Sequence, residues 1–381
     1  MAARKPAAIF LTGDFGTLYL KKFGEHIAIL IIGIIIAVLL AEMLVRVLLP
    51  QNRMVTWIEM HPEGFMMNTV NLEAMHHSDE RKNRYRLNDF GLRGEEFNQQ
   101  REKYRVLLIG DSFTFGLYLS KEHTISSHLS KFSSESYPND SISFLNGGVG
   151  GAGMADWPGW LTVKGKQMHP DLIIYFLNTA DTDRAISKNL WVLNETDSAL
   201  IKSQRWKPRK FFMNLGKQTW YRQLQEKSHL MNVIVRLAWR HVYFKDLTNN
   251  FNTYNSHVVI PDPDSFYPGS GYSKSLSYKL IETMQDWCKN NQCEFILSTT
   301  GFFEEADTEP HTQVFYESLQ EETLTFPFYD NTPCVKQKAG NNLNLLRISG
   351  GDHPDERGAL AIAACTWQWL EPWLIENRPQ E

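Results

Sequence analysis

A serine hydroxyl becomes a useful nucleophile only when a neighbouring base takes its proton. The informative residues are therefore hydroxyls and imidazoles at junctions between elements. The segment YRVLLIGDSFTFG, residues 104–116, places Asp111 and Ser112 directly after the apolar run Val106–Ile109, with Gly110 and Gly116 on either side. A tight turn from a buried strand into a helix would expose the Ser112 hydroxyl beside free backbone N–H groups, the mechanics of a nucleophile elbow. The same residues also suit a simple helix cap by Asp111 or Ser112. A base is available in GGDHPDERGALAIA, residues 350–363, where His353 precedes Pro354 and a helix start. Asp352 is the candidate acid to orient that imidazole. Adjacent residues on an extended chain point opposite ways, so this needs a turn at Gly350-Gly351, another carboxylate, or a backbone carbonyl.

Positioning such residues requires a rigid scaffold, and the chain has the pattern for one. Short apolar runs at Arg105–Ile109, Ile142–Leu145, Leu172–Leu177, Glu294–Ser298 and Thr325–Tyr329 read as strands. Between and after them lie helix-like segments, among them SKEHTISSHLSKF, SKSLSYKLIETMQDWCKNN and DERGALAIAACTWQWLEPWLIE. This alternation predicts a three-layer α/β/α sandwich, flavodoxin-like, with about five parallel strands. Ligands in such folds bind beyond the carboxyl ends of the strands. The expected domain covers residues 104–376. The stretch from about 184 to 270, rich in Trp, Arg and Tyr, departs from the rhythm and reads as a helical insertion, either added scaffold or a lid over the catalytic edge.

The N-terminal region sets the compartment. Residues 26–49 are long and apolar enough to cross a hydrocarbon core of ~30 Å. Glu42 and Arg46, four apart, share one helix face and are able to pair. Lys21 and Lys22 before the span favour a cytoplasmic tail of residues 1–25 and an exported body. A cleaved signal and a buried helix are the other readings of the same run. Residues 50–103 read as a linker with a short hairpin near Tyr85–Arg93. Cys288 and Cys293 lie close enough in sequence to bond in an oxidising compartment, or to remain as buried thiols. No Cys/His cluster has metal-ligand spacing. The net charge of −4 over 381 residues gives no pull toward nucleic acid.

Taken together, GDSFTFG (110–116), FLNGGVGGAG (144–153), PDLIIYFLNTAD (170–181) and DHPDERG (352–358) resemble the sequence blocks of the SGNH/GDSL hydrolase family. YRLNDFGLRGEEF (85–97) is similar to a lead-in segment of its membrane-anchored bacterial members. The resemblance implies Ser112 as nucleophile and His353 as general base, with the N–H groups of Ser112 and Gly151 as oxyanion donors. Gly148 or Gly150 takes the place of Gly151 if the register shifts. Two positions depart from the family: Ala180 stands where it has an oxyanion asparagine, and Gly350 where it has its acid. Asn178 is the nearby amide able to substitute. The implied activity is a serine esterase acting on acyl, above all acetyl, esters of a cell-envelope or exopolysaccharide glycan. O-acetyl transfer on the same site and a catalytically impaired glycan-binding scaffold are the alternatives. The implied location is the bacterial inner membrane, single-pass, with the catalytic domain in the periplasm and no metal or organic cofactor.

Overall fold

The computed structural model describes residues 14–78, 81–94, 104–138, 142–194, 199–203, 215–238, 271–304, 306–321, 323–349 and 351–378. Gly350 lies outside the described residues, as do parts of the 184–270 insertion.

Five parallel strands form the central sheet: β1 (Tyr104–Gly110), β2 (Ile142–Asn146), β3 (Leu172–Leu177), β4 (Glu294–Thr299) and β5 (Phe328–Tyr329). Their spatial order is 2-1-3-4-5, which is the flavodoxin-like order. β5 is shorter than the run Thr325–Tyr329 suggested. Pro327 has no N–H to give to a ladder, and only its carbonyl takes part, accepting from Leu297 N at 3.0 Å.

Side-chain alternation along the strands explains why both faces are covered. Leu172, Ile174 and Phe176 of β3 join one apolar cluster; Ile173, Tyr175 and Leu177 join the other. The first cluster is closed by the helices Ile125–Ser136, Thr332–Lys338 and Glu356–Asn377, through residues such as Leu129, Val335 and Ile362. The second is closed by Gly271–Asn290 and Pro310–Glu321, through Leu280, Met284 and Phe315. At roughly 25 cal/mol per Å² of apolar surface removed from water, this two-sided burial is the main term holding the strand ends in register.

The lead-in region expected as linker and hairpin is folded. Strands Arg53–Met54, Leu72–His77 and Lys82–Leu87 form an antiparallel sheet, and Ile58–Met60 pairs with Met66–Asn68. The last strand of the three alternates exposed and buried residues, which puts Tyr85 and Leu87 inward. Trp57, Tyr85 and Phe115 make one aromatic cluster, so this small sheet packs directly on the turn after β1.

The helix Asp14–Leu48 contains the apolar span Lys22–Leu48, none of whose most apolar window is buried. Glu42 and Arg46 pair at 3.0 Å, as their spacing predicts. From the insertion, helices Thr219–Lys227 and His229–Ala238 pack against the lead-in strands and the end of this long helix. Of the two readings of Cys288 and Cys293, buried thiols hold and a mutual bridge does not. Cys288 and Cys293 are free and buried, while Cys334 and Cys365 are bonded and join the helix Thr332–Lys338 to the final helix. Packing of these two helices brings residues 31 apart in sequence to a Cα separation of 5.8 Å.

Candidate active site

Ser112 begins a four-residue helix, Ser112–Phe115, at the carboxyl end of β1. Asp111 is the cap: its Oδ1 accepts from Phe113 N at 2.9 Å. That leaves the Ser112 hydroxyl for other work. The turn is tight because two glycines permit it. A Cβ on Gly110 would lie 2.2 Å from Thr114 Oγ1 and 2.9 Å from Phe176 O. Gly116 ends the helix in the left-handed region at φ +79°, which glycine adopts without strain.

His353 arrives from the far end of the chain. Its Nε2 lies 2.8 Å from Ser112 Oγ, across 241 residues of sequence. The loop that carries it is anchored on both sides: Ile348 N donates to His353 O and Asp355 N to Leu346 O, each at 2.9 Å. Asp355 then caps the final helix through Gly358 N. The imidazole is largely buried between Phe113 and Tyr118, whose ring centroids are 5.1 and 5.4 Å away.

Asp352 does reach its neighbour. Its Oδ1 is 2.6 Å from His353 Nδ1. The chain here is bent rather than extended, with Gly351 N donating to Ile348 O at 3.1 Å, so the opposite-facing rule for strands does not apply. The hydrogen bond from His353 holds the Asp352 carboxyl down to about 2; the imidazole's charge and Arg347 act the same way, and partial burial opposes them. The Asp352 side chain is nonetheless 81% exposed, so water competes for it.

Two further segments converge on Ser112 from the ends of β2 and β3. In the glycine turn after β2, a Cβ on Gly150 would stand 4.0 Å from Ser112 Cβ, whereas one on Gly151 would meet only the Met66 terminal carbon. Gly150 is thus the glycine of this turn that stands beside Ser112, and the carbonyl of Gly151 accepts from Lys188 Nζ at 3.1 Å. Among the described residues, no protein acceptor takes the N–H of Ser112 or Gly150. After β3, Asn178 is buried and its amide lies 3.3 Å from Asp111 Oδ1. It steadies the residue before Ser112 and is thereby drawn toward the cap.

Residues invisible to motif reading hold this arrangement from behind. Arg184 Nη1 donates to Asp111 Oδ2 at 2.7 Å, to Ala152 O at 3.1 Å and to Asp181 Oδ1 at 3.4 Å. One guanidinium thus ties the end of β1, the glycine turn and the turn after β3. Asp181 also accepts from Tyr175 OH and Asn178 N at 2.7 and 2.8 Å. Burial, reinforced by the Asp111 carboxylate, pushes Asp181 up to about 7. Beside it, Lys188 pairs with the buried Asp156.

Arg93 from the lead-in segment is buried and donates to the carbonyls of Phe115, Gly116 and Leu119, at and just after the end of the Ser112 helix. Its guanidinium lies over the rings of Tyr85 and Phe115. The Tyr85 hydroxyl bonds His76 Nδ1 at 2.8 Å and accepts from Tyr118 N at 2.9 Å. Tyr118 sits at φ +68°, a strained conformation for a residue with a side chain, and its ring edge faces His353. Only the arginine and tyrosine of the lead-in motif hinted at this support; partners so remote in sequence leave no spacing signal.

No family model matches the sequence, and no curated protein matches it. Some solved structures align with much of the chain. A psychrotrophic esterase from Pseudoalteromonas sp. is 9% identical and aligns over 72% of this chain and 100% of its own, with a TM-score of 0.40. An acetyl-xylooligosaccharide esterase from Geobacillus is 15% identical over 70% of this chain and 93% of its own, at 0.37. A GDSL-like lipase from Bacteroides thetaiotaomicron is 12% identical over 73% and 93%, at 0.34. These likenesses are distant, and the chemistry of the site rests on its own geometry.

Proposed function

We propose that the protein is a serine esterase that works through an acyl-serine. The observation that carries this is the unbroken chain Asp352 Oδ1–His353 Nδ1 and His353 Nε2–Ser112 Oγ, at 2.6 and 2.8 Å. Asp352 accepts from Nδ1–H and so leaves Nε2 as the base. As Ser112 Oγ attacks an ester carbonyl, its proton passes to His353 Nε2. The oxyanion that develops is met by the N–H groups of Ser112 and of the Gly150–Gly151 segment. His353 then returns the proton to the departing alcohol. Water deprotonated by the same nitrogen frees the acid and restores Ser112. A sugar hydroxyl in place of that water would make the protein an acyltransferase.

Acetyl esters of an envelope or extracellular glycan are the proposed substrates, with the body held outside the cytoplasmic membrane by its N-terminal helix. Two features support the location. The span Lys22–Leu48 has a mean hydropathy of 3.0 in its most apolar window, and the Cys334–Cys365 bond suits an oxidising compartment.

The test is covalent labelling of full-length protein with a fluorophosphonate, against Ser112→Ala. Labelling of the wild type that vanishes in the variant is expected. An unlabelled wild type over the neutral to alkaline range would remove the esterase reading. Release of acetate against transfer to an added glycan acceptor then separates hydrolysis from transfer.

A further inference from the structure

The helix His229–Ala238 is short and strongly apolar, and two of its large side chains face outward: Ile234 is 51% exposed and Leu237 60%. With Leu230 they fall at i, i+4 and i+7, one stripe of a helix. His229, Asn232 and Arg236 fall on the other side. Asn232 Nδ2 is spent on the carbonyls of Gln225 and Ser228, at 2.6 and 2.7 Å.

The start of this helix is strapped to the long N-terminal helix. Glu42 accepts from His229 N at 2.9 Å and from Leu230 N and Ser228 Oγ at 2.8 Å. Arg46 donates to Lys227 O at 3.1 Å, and Gln51 N to His229 Nδ1 at 2.8 Å. Glu42 lies six residues before Leu48, the end of the N-terminal helix, which is about 9 Å along the axis at 1.5 Å per residue. A helix tethered there starts at or below the headgroup level of any bilayer that the span crosses.

We infer that His229–Ala238 is an interfacial helix, with the Leu230–Ile234–Leu237 stripe seated in the same lipid leaflet that holds the end of the N-terminal span. The inference rests on the anchor reading of that span. The occupant is lipid because the stripe is held through Glu42 against the last turns of the span, whose apolar side chains are unburied. Arg46 and Arg53 reach the carbonyls of Lys227 and Glu226 at this junction, where cations meet anionic headgroups. Amphipathic helices bury an apolar face ≈ 5–10 Å into the headgroup and acyl boundary, the depth that the Glu42 tether sets. The arrangement also ties the site to the membrane: Thr56 Oγ1 donates to Gln225 of the preceding helix at 3.2 Å, and Trp57 next to it stacks on Phe115 of the Ser112 helix. Ser112 is thus presented at the bilayer surface instead of at the end of a free tether.

The experiment is nitroxide accessibility in the full-length chain, reconstituted in phosphatidylethanolamine–phosphatidylglycerol vesicles. Labels go on Ile234→Cys and Leu237→Cys, on Ile35→Cys in mid-span, and on Leu360→Cys, an exposed leucine of the final helix. Labelled wild type corrects for Cys288 and Cys293. Labels at 234 and 237 should be several-fold more accessible to oxygen, and several-fold less to a water-soluble nickel chelate, than the label at 360. If 234 and 237 match 360 while 35 stays in lipid, the helix proposal fails and the anchor stands. If 35 is itself nickel-accessible, both fail. Protection of 234 and 237 from both reagents, or broadening that unlabelled chain dilutes away, would mean a protein cover and would also overturn it.

Discussion

Replacing Asp352 with alanine tests the least usual feature of the site, an orienting acid adjacent in sequence to its base and open to water. A hydrogen bond to an ionised partner contributes about 1.5–3 kcal/mol net. At 1.36 kcal/mol per tenfold in rate, its loss would slow acylation by about 10- to 150-fold if the pair were dry. Asp352 is 81% exposed, so water replaces much of what is removed, and the lower end applies. The expected loss is about tenfold in kcat with KM little changed, because the interaction matters while the imidazolium forms. Asp352→Asn, which keeps an oxygen near Nδ1, should lie between the two. Burst and steady-state kinetics on 4-nitrophenyl acetate measure both steps, with Ser112→Ala as the floor. A loss near 10⁴, typical of buried orienting aspartates, would show that exposure does not attenuate the pair. A change smaller than about twofold would show that Phe113 and Tyr118 packing alone orients His353.

Other consequences follow from the support network. Arg184→Met leaves the fully buried Asp111 without its cation, a defect that costs about 3–5 kcal/mol, and the denaturant midpoint should fall accordingly. Gly150→Ala places a methyl beside Ser112 that only the flexible end of Ile58 opposes, at 3.0 Å. The fold should persist while kcat/KM drops at least about tenfold, since a donor displaced from the oxyanion typically costs more than that. Replacing both Cys334 and Cys365 with serine releases a cross-link spanning 31 residues and should lower stability by about 3–4 kcal/mol, read by chemical unfolding under non-reducing conditions. Asp181 has a folded pKa raised from 3.8 to about 7, so the folded state keeps a proton that the unfolded chain has lost. Its contribution to stability therefore falls as pH rises from about 4 to about 7 and is level above. In Asp181→Asn that slope should be missing when unfolding midpoints at pH 5 and 8 are compared with those of the wild type.

Local sequence determined the strand-ends of this protein and the candidate groups set on them. Hydrophobic periodicity located the five strands, because a strand covered on both faces must be apolar throughout and short. Gly110 and Gly116 marked a turn too tight for side chains, and His353 before a helix start marked the candidate base. Tertiary structure decided what lies across distance. It separated the two roles at the elbow, giving the cap to Asp111 and leaving Ser112 to His353, 241 residues away. It bent the chain at Gly351 so that Asp352 turned toward its neighbour, which no strand-based rule allows. It set Gly150 beside Ser112, a placement that a turn of five glycines in seven residues carries no side-chain pattern to fix. It paired Cys334 with Cys365 in place of the sequence neighbours, because only the packing of two helices brings those Cα atoms within bonding reach. Arg93 and Arg184 became visible only there too, since a guanidinium that gathers carbonyls and carboxylates from several loops has its partners chosen by the fold and not by spacing.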